Sequence, residues 1–431
     1  MFHPQIFDIA KQGYSFDFLK KDLLSGLTVA IVAIPLSIAF AIASGAMPII
    51  GIFTAIIGGL IVSLLGGSKY NISGPAGAFI GIIYATIAHY GYRGLLVSTF
   101  LAGIFIMCFS ILKFGRLMKY IPNCVIVGFS IGLGFDILSG QIADFLGLTA
   151  HGGENFIKKI TICWQNLSQT KTHSVLLGTI TIISTIIVRK IKPSLPAFLL
   201  AIIVSCLVAK FFGLQAETIE SKFGLIHLEA PNFHEDIVEE IEQTDNFFHY
   251  IIPSLTIAFL ASIEALLAAT IADKMTGNKH RPNTELFALG IANCVSGLFG
   301  CIPIAGTTAR TIVNVRSGAK SSIAGIFHGL FLIILIAIFA SLISNINMPT
   351  IAGILFVVSV DMMAWKKVVN LCKTDNMFNI IMMFFTAICV LLFGIVVAII
   401  ANTIIYQILM KAVVMLKHTY FNSLKLNKPN R

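Results

Sequence analysis

One acidic residue, Glu264, lies near the middle of a long apolar run, residues 251–273. The residues on either side of it are alanine, leucine, isoleucine, phenylalanine and serine, so no neighbour in sequence compensates its charge. A charged side chain at the centre of a membrane-spanning helix costs roughly 2.5 to 3.5 kcal/mol, and such residues commonly serve function. Glu264 is therefore a candidate proton carrier. A structural ion pair with Arg310 is the alternative.

Two short apolar runs, 76–90 and 307–318, have about half the length of a membrane-spanning helix. Each follows an extended segment that contains glycine and proline. If both are half-helices that begin inside the membrane, their first N–H groups lack intrahelical partners and each start carries about half a positive charge. Two such starts facing each other would bind an anion. The residues concerned are Gly74, Pro75, Ala76, Gly77 and Ala78 in the first, and Gly306, Thr307, Thr308, Ala309 and Arg310 in the second. Re-entrant packing without a ligand is the alternative.

Other polar residues in apolar runs point less strongly to function. Asp136 and Asp361 lie nearer the ends of their runs, where interfacial water is within reach. His328 is predicted to be a core histidine with its hydrogen bonds satisfied, rather than a proton relay. No P-loop, GxSxG or HExxH signature is present, and no cysteine pair has CxxC spacing. The sequence thus predicts no enzyme, no metal and no cofactor.

The composition indicates what must position these residues. Of the 431 residues 57% are hydrophobic and 12% charged, against roughly 25% charged in a soluble globular protein. This excludes an ordinary soluble protein. The net charge of +10 comes from lysine and arginine spread between apolar runs, which indicates membrane topology rather than nucleic-acid binding.

The apolar runs predict an all-α polytopic membrane protein with fourteen transmembrane segments. Twelve runs are long enough to cross a bilayer, and the two half-length runs complete the set as segments three and ten. The twelve lie near 22–45, 48–66, 94–113, 121–139, 173–190, 195–213, 251–273, 284–301, 322–344, 348–364, 376–392 and 394–416.

A constant offset of 228 residues relates the two halves, placing Leu27-Thr28 on Leu255-Thr256 and Pro75 on Pro303. Two inverted seven-helix repeats are therefore predicted, about 22–213 and about 251–416. Such paired, interrupted segments are typical of a transporter's binding site at mid-membrane. Lysine and arginine favour a cytoplasmic N-terminus, residues 1–21, and a short cytoplasmic tail, residues 417–431. The acidic loop 214–250 is predicted to be outside, whereas the lysine-containing outer loop 140–172 departs from the rule.

Three segments resemble the SulP sulfate permeases, the family related to the SLC26 anion transporters and to prestin. They are Asp22 to Gly45, Ser73 to Ala78, and above all Ile263 to Gly318. The resemblance runs through about 410 residues. It implies a fourteen-helix fold of two inverted repeats, with an anion site between the third and tenth helices and an elevator-like motion of a core against a gate. Members usually continue into a cytoplasmic STAS domain, and this chain is expected to lack one.

The resemblance also implies site residues. It places Glu264 on the acidic position of the family's eighth helix. The sodium-coupled members are similar but carry a threonine where this chain has Ala268. The resemblance therefore favours coupling to protons over coupling to sodium. Leu36 replaces a glutamine of many relatives. The residues that it places at the substrate are Phe40, Pro75, Ala76, Thr308, Ala309 and Arg310.

Residues and resemblance together predict a secondary active transporter of an inorganic anion, sulfate with protons, in a bacterial-type inner membrane. Bicarbonate or a C4-dicarboxylate is the alternative substrate. A passive anion channel or exchanger is the alternative mechanism, and a non-transporting sensor is a further reading. The partners expected are the anion, the proton and the lipid bilayer, and homodimerisation is left open.

Overall fold

The computed structural model describes residues 2–115, 121–149, 156–192, 195–224, 233–234 and 247–426. Most of the acidic residues of the predicted outer loop 214–250, and the final residues 427–431 of the predicted tail, lie outside these ranges. Arg116 and Lys119, which contributed to the topology prediction, also lie outside them.

Within the described residues, the first half of the chain forms nine helices and a two-residue strand. The helices are α1 (Gln5–Gln12), α2 (Phe16–Ala43), α3 (Pro48–Leu65), α4 (Ile80–Ile111), α5 (Asn123–Leu146), α6 (Phe156–Gln165), α7 (Thr172–Ile191), α8 (Ala197–Phe211) and α9 (Ile219–Phe223). Strand β1 (Ser73–Gly74) precedes a 3-10 turn, Gly77–Phe79, that leads into α4, and a second 3-10 turn is Leu167–Gln169.

The second half has a corresponding order of elements. Its helices are α10 (Phe247–Thr276), α11 (Pro282–Leu298), α12 (Thr308–Arg316), α13 (Ile323–Ser344), α14 (Met348–Met362), α15 (Trp365–Thr374), α16 (Met377–Phe393) and α17 (Ile395–Leu426). Strand β2 (Ala305–Gly306) immediately precedes α12, as β1 precedes α4.

Length and hydropathy make this a multi-pass membrane protein. Within the described residues, eight helical stretches are long and apolar enough to cross a bilayer, and three further apolar helices are shorter. The long stretches include α2, α3, α7 and α13. An all-α membrane fold is therefore confirmed, whereas the count of fourteen segments in inverted repeats stays a prediction.

Both short apolar runs are short helices. The first ends where α4 kinks at Gly91, whose φ of 70° and ψ of 178° are accessible to glycine and strained for other residues. The second is α12, which has nine residues. The glycine- and proline-containing segments before them are extended, since each contains one strand of a two-stranded sheet.

Glycines permit close helix packing in both of the compact units into which the chain divides. The first unit comprises Met1–Met118 and Asp136–Ser359, and the second comprises Lys119–Phe135 and Val360–Arg431. In the first, a Cβ added at Gly103 of α4 would lie 2.5 Å from the backbone nitrogen of Cys294 on α11. In the second, a Cβ at Gly132 of α5 would lie 2.6 Å from the Cβ of Val390 on α16. Helices at this separation have no room for larger side chains.

Candidate functional site

The two extended segments meet inside the first unit and bring the two short helices together. Strands β1 and β2 pair antiparallel, with Ser73 opposite Gly306 and Gly74 opposite Ala305. The pairing continues at Thr307, whose backbone N–H and hydroxyl both donate to the carbonyl of Ile72, at 2.9 and 2.8 Å. The start of α12 is thereby fixed beside the segment that leads into α4.

A buried carboxylate holds the first extended segment. Glu285 of α11 is 1% exposed, and its carboxylate accepts from the backbone N–H groups of Gly67 and Ser68 at 2.8 and 2.9 Å. It also accepts from the side-chain amide of Asn71 at 2.6 Å. The hydroxyl of Thr311 on α12 donates to the Asn71 side-chain oxygen at 3.0 Å. Non-helical backbone at membrane depth needs such partners, because lipid supplies none.

Side chains from two helices hold the second extended segment. Asn293 of α11 donates to the carbonyl of Ile304 and accepts from its N–H, both at 2.9 Å. Ser296 donates to the carbonyl of Ile302 at 2.6 Å, and Thr54 of α3 accepts from the N–H of Ile302 at 3.2 Å. The backbone before α12 is therefore satisfied by side chains, as is the backbone before α4.

The starts of the two short helices are left without side-chain caps. Thr307 is the N-cap residue of α12, but its hydroxyl is used by Ile72 and does not cap the helix. Ala76 precedes the 3-10 turn at Gly77 and has no side chain that can accept a hydrogen bond. The first N–H groups of both helices are thus available to a ligand, and the small side chains at Ala76 and Gly77 let one approach.

Arg310 lies beneath this junction. Its side chain is 1% exposed, and its Nη2 donates to the hydroxyl of Ser37 on α2 at 2.9 Å. Its Nη1 lies so close to Gly74 that a Cβ added there would overlap it. Within the described residues, neither Nη1 nor Nε has a hydrogen-bond acceptor. The guanidinium therefore contributes a fixed positive charge with unused donors.

Glu264 lies on α10, which packs against β2, and is not paired with Arg310. Gly306 packs against the next residue on α10, since a Cβ added at Gly306 would lie 2.5 Å from the Cα of Ala265. The Glu264 side chain is partly exposed, although Ile263 and Ala265 beside it are buried. Among the described residues it has no hydrogen bond or ion pair, so the alternative of an ion pair with Arg310 is wrong for this structure.

The other predicted site residues differ in exposure. Phe40 lies in the last turns of α2, three residues after Ser37 and hence on the same face of that helix. Phe40, Ala76 and Thr307 are each 7% exposed, whereas Thr308 is half-buried and Ala309 is exposed. Gly74, Pro75 and Gly77 are buried. The structure thus brings both glycine-rich starts together with Arg310.

Sequence reasoning missed the side chains that hold this junction. Asn71, Glu285 and Asn293 are buried. Glu285 and Asn293 bond to extended backbone, Asn71 bonds to the Glu285 carboxylate, and Ser37 is the partner of Arg310. A signal for the first three exists, because amide and carboxylate side chains are expensive in apolar runs. Ser37 gives no such signal, since serine commonly bonds to its own helix.

Comparison with known proteins agrees with the fold. Residues 19–386 match the Sulfate permease family. YvdB of Bacillus subtilis (strain 168), provisionally named a sulfate transporter, is 39% identical to this chain. The match covers 85% of this chain and 68% of YvdB. The bicarbonate transporter BicA of a Picosynechococcus species is 32% identical over 81% of this chain and 63% of its own length.

Solved structures share the fold. The transmembrane domain of a cyanobacterial bicarbonate transporter BicA superposes with a TM-score of 0.78 at 28% identity, covering 90% of this chain and 98% of that one. SLC26A9 superposes with a TM-score of 0.81 at 16% identity, covering 93% and 68%, which shows the fold alone.

The fold and the junction of two short helices therefore define a multi-pass membrane protein of the anion-transporter type. The chain belongs to the sulfate permease family. The resemblance noted from the sequence is confirmed by this assignment.

Proposed function

We propose that the protein is a secondary active transporter that moves sulfate inward together with protons. One observation carries the proposal: the β1–β2 pairing holds two uncapped helix starts beside the buried guanidinium of Arg310. Each helix start contributes about half a positive charge. Together with Arg310 they supply about two positive charges, which match the two negative charges of sulfate.

Glu264 is proposed to couple the proton to the anion. Its partly exposed carboxylate has no cationic partner among the described residues, so an ionised Glu264 would oppose an incoming anion. Binding of a proton to this carboxylate removes that repulsion. Proton and anion then bind together, and release of both to the cytoplasm returns the site to its starting charge.

The proposal includes the arrangement that the resemblance implies. Two inverted seven-helix repeats, about 22–213 and about 251–416, would alternate access to the site by an elevator-like motion, with both termini in the cytoplasm. Substrate contacts are assigned to Phe40 and to the two helix starts, Gly74 to Gly77 and Thr307 to Arg310. Membrane transporters of this kind use discontinuous helices for substrate binding.

Labelled sulfate uptake into proteoliposomes tests the proposal. Uptake is measured with and without an inward proton gradient for the unmodified protein, for Glu264→Gln, and for Glu220→Gln as the control. Glu220 is exposed on α9, so its variant makes the same chemical change away from the site. Gradient-driven uptake that Glu264→Gln loses and Glu220→Gln keeps is expected. Gradient-insensitive uptake that survives Glu264→Gln would instead indicate a channel or an exchanger.

Bicarbonate is the second candidate substrate, favoured by the similarity to BicA over most of this chain. Competition distinguishes the candidates, with unlabelled bicarbonate or a C4-dicarboxylate added outside the vesicles. If sulfate is the preferred substrate, neither competitor should suppress labelled sulfate uptake when it is present at the same concentration as sulfate. Uptake of labelled bicarbonate with no sulfate flux would reverse the assignment.

A further inference from the structure

His328 is a buried histidine whose hydrogen bonds are not satisfied, contrary to the sequence-based expectation. It lies on α13 and is 0% exposed. Within the described residues, neither ring nitrogen has a hydrogen-bond partner. A buried polar group without a partner costs about 1–3 kcal/mol, so an ordered water or another polar group is expected beside it.

Glycines let two neighbouring helices approach His328 closely, α3 at its ring and α2 at its backbone. A Cβ added at Gly59 of α3 would lie 2.7 Å from the ring Nδ1, so only glycine fits there. On α2, a Cβ added at Gly26 would lie 3.0 Å from the His328 backbone nitrogen. The ring is therefore fixed in position without any direct polar contact from these helices.

The same stretch of α3 connects His328 to the anion site. Gly58 directly precedes Gly59, and a Cβ added at Gly58 would lie 3.0 Å from the backbone nitrogen of Gly74. Gly74 in turn is covered by Nη1 of Arg310. The Cα atoms of adjacent residues such as Gly58 and Gly59 are about 3.8 Å apart. The His328 ring and the Arg310 guanidinium therefore lie near the same short segment of α3.

The helices packed most closely against α13 are α2, α3 and α9, whereas Arg310 lies on α12. Helix α3 has no ionisable residue, and α13 has none other than His328. On α2, Asp22 accepts from the N–H groups of Lys320 and Ser321 at 2.6 and 3.1 Å, about two turns before His328. The charged residues of α9 are Glu220 and Lys222. The segment that contains them is hydrogen-bonded to Ile346 and Asn347, just after the C-terminal end of α13.

We propose that His328 and Arg310 jointly bind a buried water molecule behind the anion site, and that this water positions the guanidinium over Gly74. The donors are Nε and Nη1 of Arg310, and the acceptor is one ring nitrogen of a neutral His328. The water accepts from the guanidinium and donates to the imidazole, which gives it the two or more partners that a buried water needs. His328 is thus a positioning residue that acts through Arg310.

Transport kinetics, which rest on the function proposed above, distinguish a role of His328 in positioning Arg310 from a role in packing. His328→Leu removes both ring nitrogens and His328→Gln keeps one donor and one acceptor, while His173→Leu changes an exposed histidine of α7 as the control. For the anion that the unmodified protein transports, His328→Leu is expected to raise KM about tenfold with little change in maximal rate. His328→Gln is expected to restore most of the affinity. Equal losses in both variants, or none in either, would overturn the positioning role.

A second measurement does not depend on transport. Protein labelled with 15N-histidine is studied in bilayers by solid-state NMR, and the His328 signals are assigned by their loss in His328→Gln. A hydrogen-bonded acceptor nitrogen is expected in the unmodified protein, and its shift is expected to change in Arg310→Met. A His328 signal that is unaffected by Arg310→Met would refute the water bridge, whatever the protein transports. Failure of the unmodified protein to move any anion would refute only the proposed function.

Discussion

At the scale of single residues, the site depends on how closely Gly74 approaches Arg310. The two residues come from different halves of the chain, and Nη1 of Arg310 occupies the place where any larger residue at position 74 would carry its Cβ. The absence of a side chain at Gly74 therefore permits the guanidinium to lie beneath the helix starts. Such a contact leaves little tolerance for substitution, because packed interiors accommodate extra atoms poorly.

Substitution of Gly74 by alanine is expected to displace Arg310 and weaken anion binding. Besides Nη1, the added Cβ would meet the Cα of Ala55 at 3.1 Å, which cannot rotate away. A rise in KM for anion uptake of about tenfold or more is expected. Gly140→Ala is the matched control, since a Cβ there meets only the Lys159 amine at 4.0 Å. Equal KM values in both variants would contradict the proposed role of the contact.

Substitution of Ser37 by alanine removes the hydrogen-bond acceptor used by Nη2 of Arg310. Hydrogen bonds to charged groups are worth about 1.5–3 kcal/mol, so KM should rise by about tenfold or more. Ser37→Thr keeps a hydroxyl and should recover part of the loss. The control is Ser359→Ala, because that buried hydroxyl donates only to the carbonyl of Leu355 in its own helix. Uptake kinetics for the three variants check the prediction.

At the scale of elements, the extended segments before the short helices are held by side chains from neighbouring helices. Glu285 serves the first segment, and Asn293 serves the second. Both residues lie on α11, which therefore supports the two halves of the site at once. Because these side chains replace the water or ladder partners that extended backbone normally has, their loss is expected to affect stability as much as transport.

Glu285→Gln is expected to destabilise the fold. One oxygen of the Glu285 carboxylate accepts hydrogen bonds from two backbone N–H groups. An amide NH2 in that place would be a donor facing both of these donors. The expected loss is about 2–4 kcal/mol, measured as a lower Tm of the purified protein in detergent. Glu220→Gln on the exposed face of α9 should leave Tm unchanged. A Tm for Glu285→Gln equal to that of the unmodified protein would rule out this supporting role.

Gly91→Ala tests the break that makes the first short helix short. The backbone at Gly91 has φ 70° and ψ 178°, and no atom lies within 4 Å of a Cβ placed there. Any penalty therefore comes from backbone strain, about 1–3 kcal/mol, and not from a clash. A reduced Tm relative to Gly140→Ala is the expected result, whereas no difference would show that the kink relaxes without cost.

At the scale of the whole molecule, the first unit contains a cavity of about 240 Å³ next to the C-terminal end of α2 and the start of α4. Two ion pairs line it, Asp136 with Lys159 at 2.7 Å and Asp144 with Lys222 at 3.2 Å. The proposed topology places this cavity at the outer face, since α2 starts from the cytoplasmic side. It borders Ile80 and Gly81, just after the first helix start.

Thiol labelling tests this orientation. Single cysteines are placed at Asn166, in the predicted outer loop 140–172, and at Lys279, in a predicted inner loop, on a background without native cysteines. A membrane-impermeant reagent added to intact cells is expected to label Asn166→Cys and not Lys279→Cys, which should react only after permeabilisation. The reverse pattern would invert the topology and place the cavity at the cytoplasmic face.

The sequence by itself determined the class of the protein and the segments proposed to form its site. Apolar runs of fixed length predict membrane helices because each must match the bilayer thickness. The two half-length runs marked the broken helices because each is short and follows a segment whose glycine and proline favour extended backbone over helix. Glu264 and Arg310 were recognisable because charges in apolar runs are costly. These features are local in sequence, so no knowledge of the packing was needed to find them.

Only the tertiary structure decided how these residues are partnered. It showed that Arg310 bonds to Ser37 and that Glu285 and Asn293 hold the extended segments. Glu264 is unpaired within the part of the chain that the structure describes. The structure also showed that His328, predicted to be satisfied, has no partner among the described residues. Two of these relations, Arg310 with Ser37 and Glu285 with Gly67, join residues more than 200 positions apart. The physical reason is that hydrogen bonding depends on distance and direction in space, which the pattern of polar and apolar residues along a chain does not specify.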